Sequence, residues 1–208
     1  MSERRGNPRL RALHASPGAL AVDVYLDNSP LFPGLAYGEV GDYAATPPGR
    51  RDVTVYLIGA AGPGEPLFTA SLMLTAGEDY TLAILGRPPR IEPVVLLDST
   101  PAPAAGRAKA RVLHASPDAP AIDLAIERGP TLFRHVCYEQ VTPFIEIPAR
   151  LVDLDVRPSG SQATLMTLPD YTFDDGNLYT FVVLGLLRGA PAFMVMPLVE
   201  TVEMRLPL

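Results

Sequence analysis

The chain has 208 residues, 48% hydrophobic and 19% charged, with 23 prolines, 17 glycines, one cysteine and no tryptophan. That composition can build a core and is not that of a disordered chain, and the length suits one large domain or two small ones at ~100–200 residues each. A net charge of −6 argues against a nucleic-acid surface. Lys109 as the one lysine leaves no polybasic anchor, and a single cysteine excludes an internal disulfide or a cysteine-built zinc site.

At the N-terminus, Met1-Ser-Glu-Arg-Arg-Gly-Asn-Pro-Arg is basic, but no apolar core of roughly 7–15 residues follows, so no signal peptide is visible. The longest apolar stretches, such as Leu178 to Leu187, fall short of the ~20 residues that span a bilayer. The segment Arg11-Ala-Leu-His-Ala-Ser-Pro-Gly-Ala-Leu-Ala-Val-Asp-Val returns as Arg111-Val-Leu-His-Ala-Ser-Pro-Asp-Ala-Pro-Ala-Ile-Asp-Leu. Leu31-Phe-Pro-Gly-Leu-Ala-Tyr-Gly-Glu-Val matches Leu132-Phe-Arg-His-Val-Cys-Tyr-Glu-Gln-Val, and Ala76-Gly-Glu-Asp-Tyr-Thr-Leu matches Asp175-Gly-Asn-Leu-Tyr-Thr-Phe. The chain is a tandem duplication. Residues 9–98 form one copy and 109–203 the other, joined by a Pro/Ala linker over 99–108.

Within each copy the period is two. Val22, Val24 and Leu26 alternate with Asp23, Tyr25 and Asp27, and Ile122, Leu124 and Ile126 with Asp123, Ala125 and Glu127, which predicts a half-buried strand with one solvated face. Arg51 to Ile58, the turn Gly59-Ala-Ala-Gly-Pro-Gly-Glu-Pro, and Leu67 to Leu74 predict a hairpin. Tyr80 to Leu85 and Ile91 to Leu97 are two further strands separated by a Pro-rich turn. No segment keeps a 3.6-residue period, so we expect about seven strands per copy and an all-β chain of two tandem immunoglobulin-like, Greek-key β-sandwich domains. Tyr80 and Tyr179, each opening a strand after a turn, are expected as structural tyrosine corners.

Three chemical readings of the repeated motif compete. His14, Ser16 and Asp23, with His114, Ser116 and Asp123, contain the residue types of a hydrolase triad, but no Gly-x-Ser-x-Gly elbow or oxyanion signature accompanies them. His14 with Asp23 and Glu39 could ligate a metal, yet no metal-ligand spacing supports it, so neither metal nor cofactor is assigned. The structural reading has Ser16 and Asp118 accepting turn amides and the histidines bonded to backbone. His14, Asp23, Glu39, His114, Asp118 and Asp123 are the binding candidates, and Ser16 and Ser116 are read as structural. Cys137 reads as a small buried apolar residue.

The Arg-x-Leu-His-Ala-Ser-Pro motif, with the later Leu-x-Ala-Gly-x-x-Tyr-Thr segment, resembles the bacterial domain of unknown function 4397 (DUF4397), in two copies covering nearly the whole chain. The resemblance implies a secreted or surface-associated β-rich module with no established activity. Two departures stand out: Gly18 where copy two has Asp118, and Gln140 where copy one has Glu39. The expected function is a non-catalytic binding or adhesion module of the cell envelope, with a protein or carbohydrate partner. A self-associating structural protein, a homo-oligomer, is the alternative, and a hydrolase or metal-binding protein stands behind both.

Overall fold

A computed structural model describes residues 6–58 and 65–201. Residues 59–64 of the turn expected over 59–66 and the last two residues of the second repeat, 202–203, lie outside them. The chain divides into two compact units, Met1–Ser99 and Thr100–Leu208. No helix occurs among the described residues.

The first unit contains β1 (Arg9–His14), β2 (Val22–Leu26), β3 (Ser29–Leu35), β4 (Ala44–Ala45), β5 (Gly49–Leu57), β6 (Phe68–Leu74), β7 (Asp79–Arg87) and β8 (Arg90–Leu97). Its sheets run β4-β1-β7-β8 and β3-β2-β5-β6. The second unit repeats this order with β9 (Arg107–His114), β10 (Ile122–Ile126), β11 (Thr131–Val136), β12 (Ile145–Pro148), β13 (Leu151–Pro158), β14 (Met166–Thr172), β15 (Asn177–Leu184) and β16 (Met194–Thr201). Its sheets run β12-β9-β15-β16 and β11-β10-β13-β14. Each unit is thus a sandwich of two four-stranded sheets, and the chain is an all-β protein of two tandem sandwiches. Eight strands form per unit where seven were expected, because β4 and β12 are too short to carry a readable period. The linker is shorter than expected, since Arg107 and Ala108 already pair in β9.

The alternating residues close the core. Val22, Val24 and Leu26 face Leu10, Ala12, Leu82 and Ile84 across the first sandwich; Ile122 and Leu124 face Ala110, Val112, Phe181 and Val183 across the second. The first strand of each unit runs parallel to the seventh, with Leu13 beside Ala83 and Leu113 beside Val182. Parallel partners need a long crossover, and most of each unit intervenes. This pair is buried on both faces, which is why β7 and β15 read as continuous apolar runs. Tyr80 Oη accepts the Thr75 N–H at 3.1 Å, and Tyr179 Oη accepts the Asp174 N–H at 2.8 Å, each tying the turn before a strand to that strand.

On the outward face of the same pair, the motif arginines are buried. Arg11 Nε donates to Thr81 Oγ1 at 2.8 Å under the Tyr43 ring, and Arg111 Nε donates to Thr180 Oγ1 at 2.9 Å under Phe144. In copy one, Asp98 accepts from both Tyr43 Oη and Thr81 Oγ1.

Candidate functional site

β1 ends at His14 because the next residues must turn toward Pro17, and the chain then loops back to β2. The loop folds onto the imidazole, which is fully buried. The Ser16 N–H donates to His14 Nδ1 at 3.3 Å, so Nδ1 is an acceptor and the ring proton sits on Nε2, 3.0 Å from the Leu20 carbonyl that receives it. The ring meets Tyr37 edge-on at 6.0 Å. Copy two repeats the arrangement: Ser116 N–H to His114 Nδ1 at 3.3 Å, Nε2 to the Pro120 carbonyl at 3.0 Å, and Tyr138 at 6.1 Å. Burial lowers the pKa of both histidines, and the carbonyl bonds oppose it only in part. Both rings are therefore neutral at pH 7.

The serines differ from expectation. Instead of accepting turn amides, Ser16 Oγ donates to the Gly86 carbonyl at 2.9 Å and Ser116 Oγ to the Gly185 carbonyl at 2.8 Å. The parallel strand pair places that carbonyl beside the loop, and a carbonyl can only accept. Both glycines have positive φ, +93° and +83°, and a Cβ on either would collide with a backbone carbonyl, of Arg90 or Ala192. Neither hydroxyl bonds its histidine, so the nucleophile–base contact of a triad is not formed.

The carboxylates are spent elsewhere. Asp23 Oδ1 accepts the Gly34 N–H at 2.7 Å and Asp123 Oδ1 the His135 N–H at 2.7 Å, pinning a bulge in β3 and β11 where residue 34 or 135 has positive φ. Asp123 Oδ2 also receives Gly160 N–H at 3.3 Å. Burial raises the Asp123 pKa, but the amides of His135 and Gly160, the Ser159 hydroxyl and the Arg134 charge outweigh it, and the net shift is down. Half-buried Asp23 and buried Asp123 therefore hold backbone, whereas the solvated face was expected to leave them free. Asp118 accepts the amides of Leu187 and Arg188 at 2.8 and 3.0 Å, fastening the β15–β16 loop. Glu39 Oε2 accepts the Ala36 N–H at 2.9 Å, and Gln140 Oε1 accepts that of Cys137 at the same distance, so the exchange of acid for amide keeps the one oxygen used.

No side-chain hydrogen bond joins His14, Asp23 and Glu39, the His14 backbone N–H meeting only the backbone carbonyl of Glu39 at 3.1 Å, and no group of three His, Cys, Asp or Glu residues able to hold a metal occurs among the described residues. Cys137 is exposed where a buried residue was expected. It follows the last core residue of β11, Val136, and the turn carries its side chain outward. Among the described residues no helix is long and apolar enough to cross a membrane.

Sequence reading missed the buried Arg11 and Arg111. The available signal was an arginine repeated inside an otherwise apolar strand in both copies. It also missed the loop-fastening role of Gly86 and Gly185, which is visible only once the first and seventh strands are paired.

Fold and geometry together define a tandem β-sandwich protein with a histidine-centred loop lock in each unit. The chain belongs to the family described as Domain of unknown function (DUF4397), whose profile matches residues 8–125. No curated protein matches it. Two solved structures are similar over 85% of this chain and 93% of theirs. One is described as alpha-glucan binding by a streptococcal virulence factor, at 11% identity and a TM-score of 0.29. The other is described as alpha-glucan recognition by family 41 carbohydrate-binding modules from streptococcal virulence factors, at 10% identity and a TM-score of 0.27.

Proposed function

We propose that this chain is a non-catalytic binding protein of the cell envelope or surface, with a carbohydrate or protein partner and with both units contributing. The observation that carries the reading is the full commitment of the motif. In each unit both imidazole nitrogens and the serine hydroxyl are engaged with buried backbone, and the ring is neutral and inaccessible. A general base must reach a substrate proton, and these rings cannot without unfolding their loop.

Surface chemistry supports binding by unit one. Tyr25 and Tyr56 meet edge-on at 5.4 Å on the outward face of β2 and β5, where Asp23 pairs with Tyr56 across the strands. Paired aromatic rings on an outward sheet face suit a sugar, which offers C–H faces to them. Copy two has Ala125 and Arg157 at the corresponding places, so the two units present different groups. Edge-to-edge self-association is disfavoured at five of the edge strands, β3, β8, β12, β14 and β16, where Pro30, Pro33, Pro93, Pro148, Pro169 and Pro197 lack the N–H that pairing with another chain would use.

The test is a glycan and protein-ligand screen of the full chain, followed by Tyr25→Ala and Tyr56→Ala. Loss of binding with unchanged melting supports the reading. Turnover of a small ester, glycoside or phosphate, abolished by His114→Ala, would move the protein among the enzymes.

A further inference from the structure

The second sandwich is open at one end. A cleft of about 320 Å³ is lined by Ile126, Leu132, Ile145, Val152 and Phe173, with Arg150 and Glu146 beside them. The volume lies at the lower end of small-molecule pockets, which run from ~300 Å³ upward. It is about ten times the ~30 Å³ share of a liquid water molecule, room for a chain of roughly eight to ten heavy atoms.

The first sandwich carries different residues at the matching places. Val53 pairs with Leu26 as Leu154 pairs with Ile126, so Arg51 occupies the place of Val152. Arg51 donates to Asp27 at 3.0 Å and to the Pro48 carbonyl at 2.7 Å, so an ion-paired side chain stands where unit two has a valine. By the same register Ala44 stands for Ile145. Copy two has exchanged a charged side chain for an apolar wall.

The charges beside the wall are not equivalent. Glu146 Oε1 is bonded by the Ala104 N–H at 3.3 Å. Arg150 is exposed and its guanidinium has no ion pair or hydrogen bond among the described residues. An apolar cleft with an uncommitted cation beside it complements an amphipathic anion.

We propose that this cleft binds a medium-chain carboxylate, with the alkyl chain against Ile145, Val152 and Phe173 and the carboxylate on Arg150. The inference deepens the reading of the chain as a binding protein, and its failure would leave the tyrosine surface of unit one, tested separately with glycans, untouched.

The experiment is an NMR titration of the full chain with hexanoate and octanoate below their micelle concentrations and octan-1-ol below its solubility limit. Octanoate is expected to bind saturably, with shifts confined to the cleft. Affinity is expected to rise about fourfold per methylene from hexanoate, the equivalent of the ~0.8 kcal/mol that each buried methylene contributes. Arg150→Gln is expected to weaken octanoate about fivefold, the upper range for an exposed ion pair, and to leave octanol unchanged. Val152→Arg, which copies unit one, and Val152→Phe, which fills the space without charge, are expected to abolish binding by both ligands at unchanged melting temperature. No saturable octanoate binding, octanol binding as tightly as octanoate, shifts outside the cleft, or binding indifferent to both Val152 variants would overturn the proposal.

Discussion

His114→Ala is the sharpest perturbation of the loop lock. It removes the acceptor of the Ser116 N–H and the donor to the Pro120 carbonyl, and neither backbone group has another hydrogen-bond partner among the described residues. Each buried group left unpaired costs ~1–3 kcal/mol, and the edge contact to Tyr138 adds ~0.5–1.5 kcal/mol. With water entering the vacated site, the lower part of these ranges applies, and the loss is about 3–5 kcal/mol. In a unit of this size 1 kcal/mol moves the midpoint by ~4–8 °C, so the second unit is expected to melt at least ~12 °C lower.

Two further variants partition the loss. Asn at 114 can place Oδ1 where Nδ1 stands and accept from Ser116, whereas Gln can place its amide where Nε2 stands and donate to Pro120. Each should recover about half. Calorimetry on the full chain reads the two units as separate transitions, with the first unit as internal reference. If Ala costs under ~1 kcal/mol, or if Asn and Gln melt together with Ala, the ring acts only as filler and the hydrogen-bond argument fails.

Acid should weaken both units through the same residues. The folded-state pKa of His14 and His114 is lowered from an unfolded value near 6.5, so their contribution is complete above that pH and is lost as pH falls through it toward the folded values, by at most about 1.4 kcal/mol per pH unit for each histidine. Urea unfolding at pH 7.5 and 5.5 measures this above the main carboxylate range, and equal stabilities at the two pH values would contradict it. Gly86→Ala and Gly185→Ala should each cost about 3 kcal/mol or more, through positive φ combined with collision against a carbonyl. Gly18→Ala, also at positive φ but facing open space, should cost about 1 kcal/mol; equal losses at all three would show that the collision does not matter.

Much of this is legible in the sequence alone. The duplication and the alternation of Val22, Val24 and Leu26 are local facts of sequence, and they lead to sandwich sheets because a period of two leaves one face to bury. The destinations of the polar groups were not legible. Ser16 reaches Gly86 only because β1 lies parallel to β7, and Arg11 reaches Thr81 for the same reason. Such pairing joins residues far apart in sequence, and nothing within the Arg-Ala-Leu-His segment specifies it. Cys137 was misread because a single apolar-looking residue after a strand has no period to fix its side.

The two copies separate framework from specificity. Where they agree in residue type, as at His14 and His114 or Ser16 and Ser116, the group is spent on backbone. Where they exchange Glu39 for Gln140, the fold uses one oxygen and either residue supplies it. Where they differ in kind, the surface changes. Tyr25 and Tyr56 become Ala125 and Arg157, Arg51 becomes Val152, and Gly18 becomes Asp118, which holds a longer loop by two amides. A repeated motif attracts notice as a catalytic signature, yet duplication preserves first whatever each sandwich needs in order to close. If the chain binds as proposed, its recognition is to be sought where the copies part and the side chain holds no backbone, as at Tyr25 and Tyr56, and a substitution there should change binding while leaving both melting transitions in place.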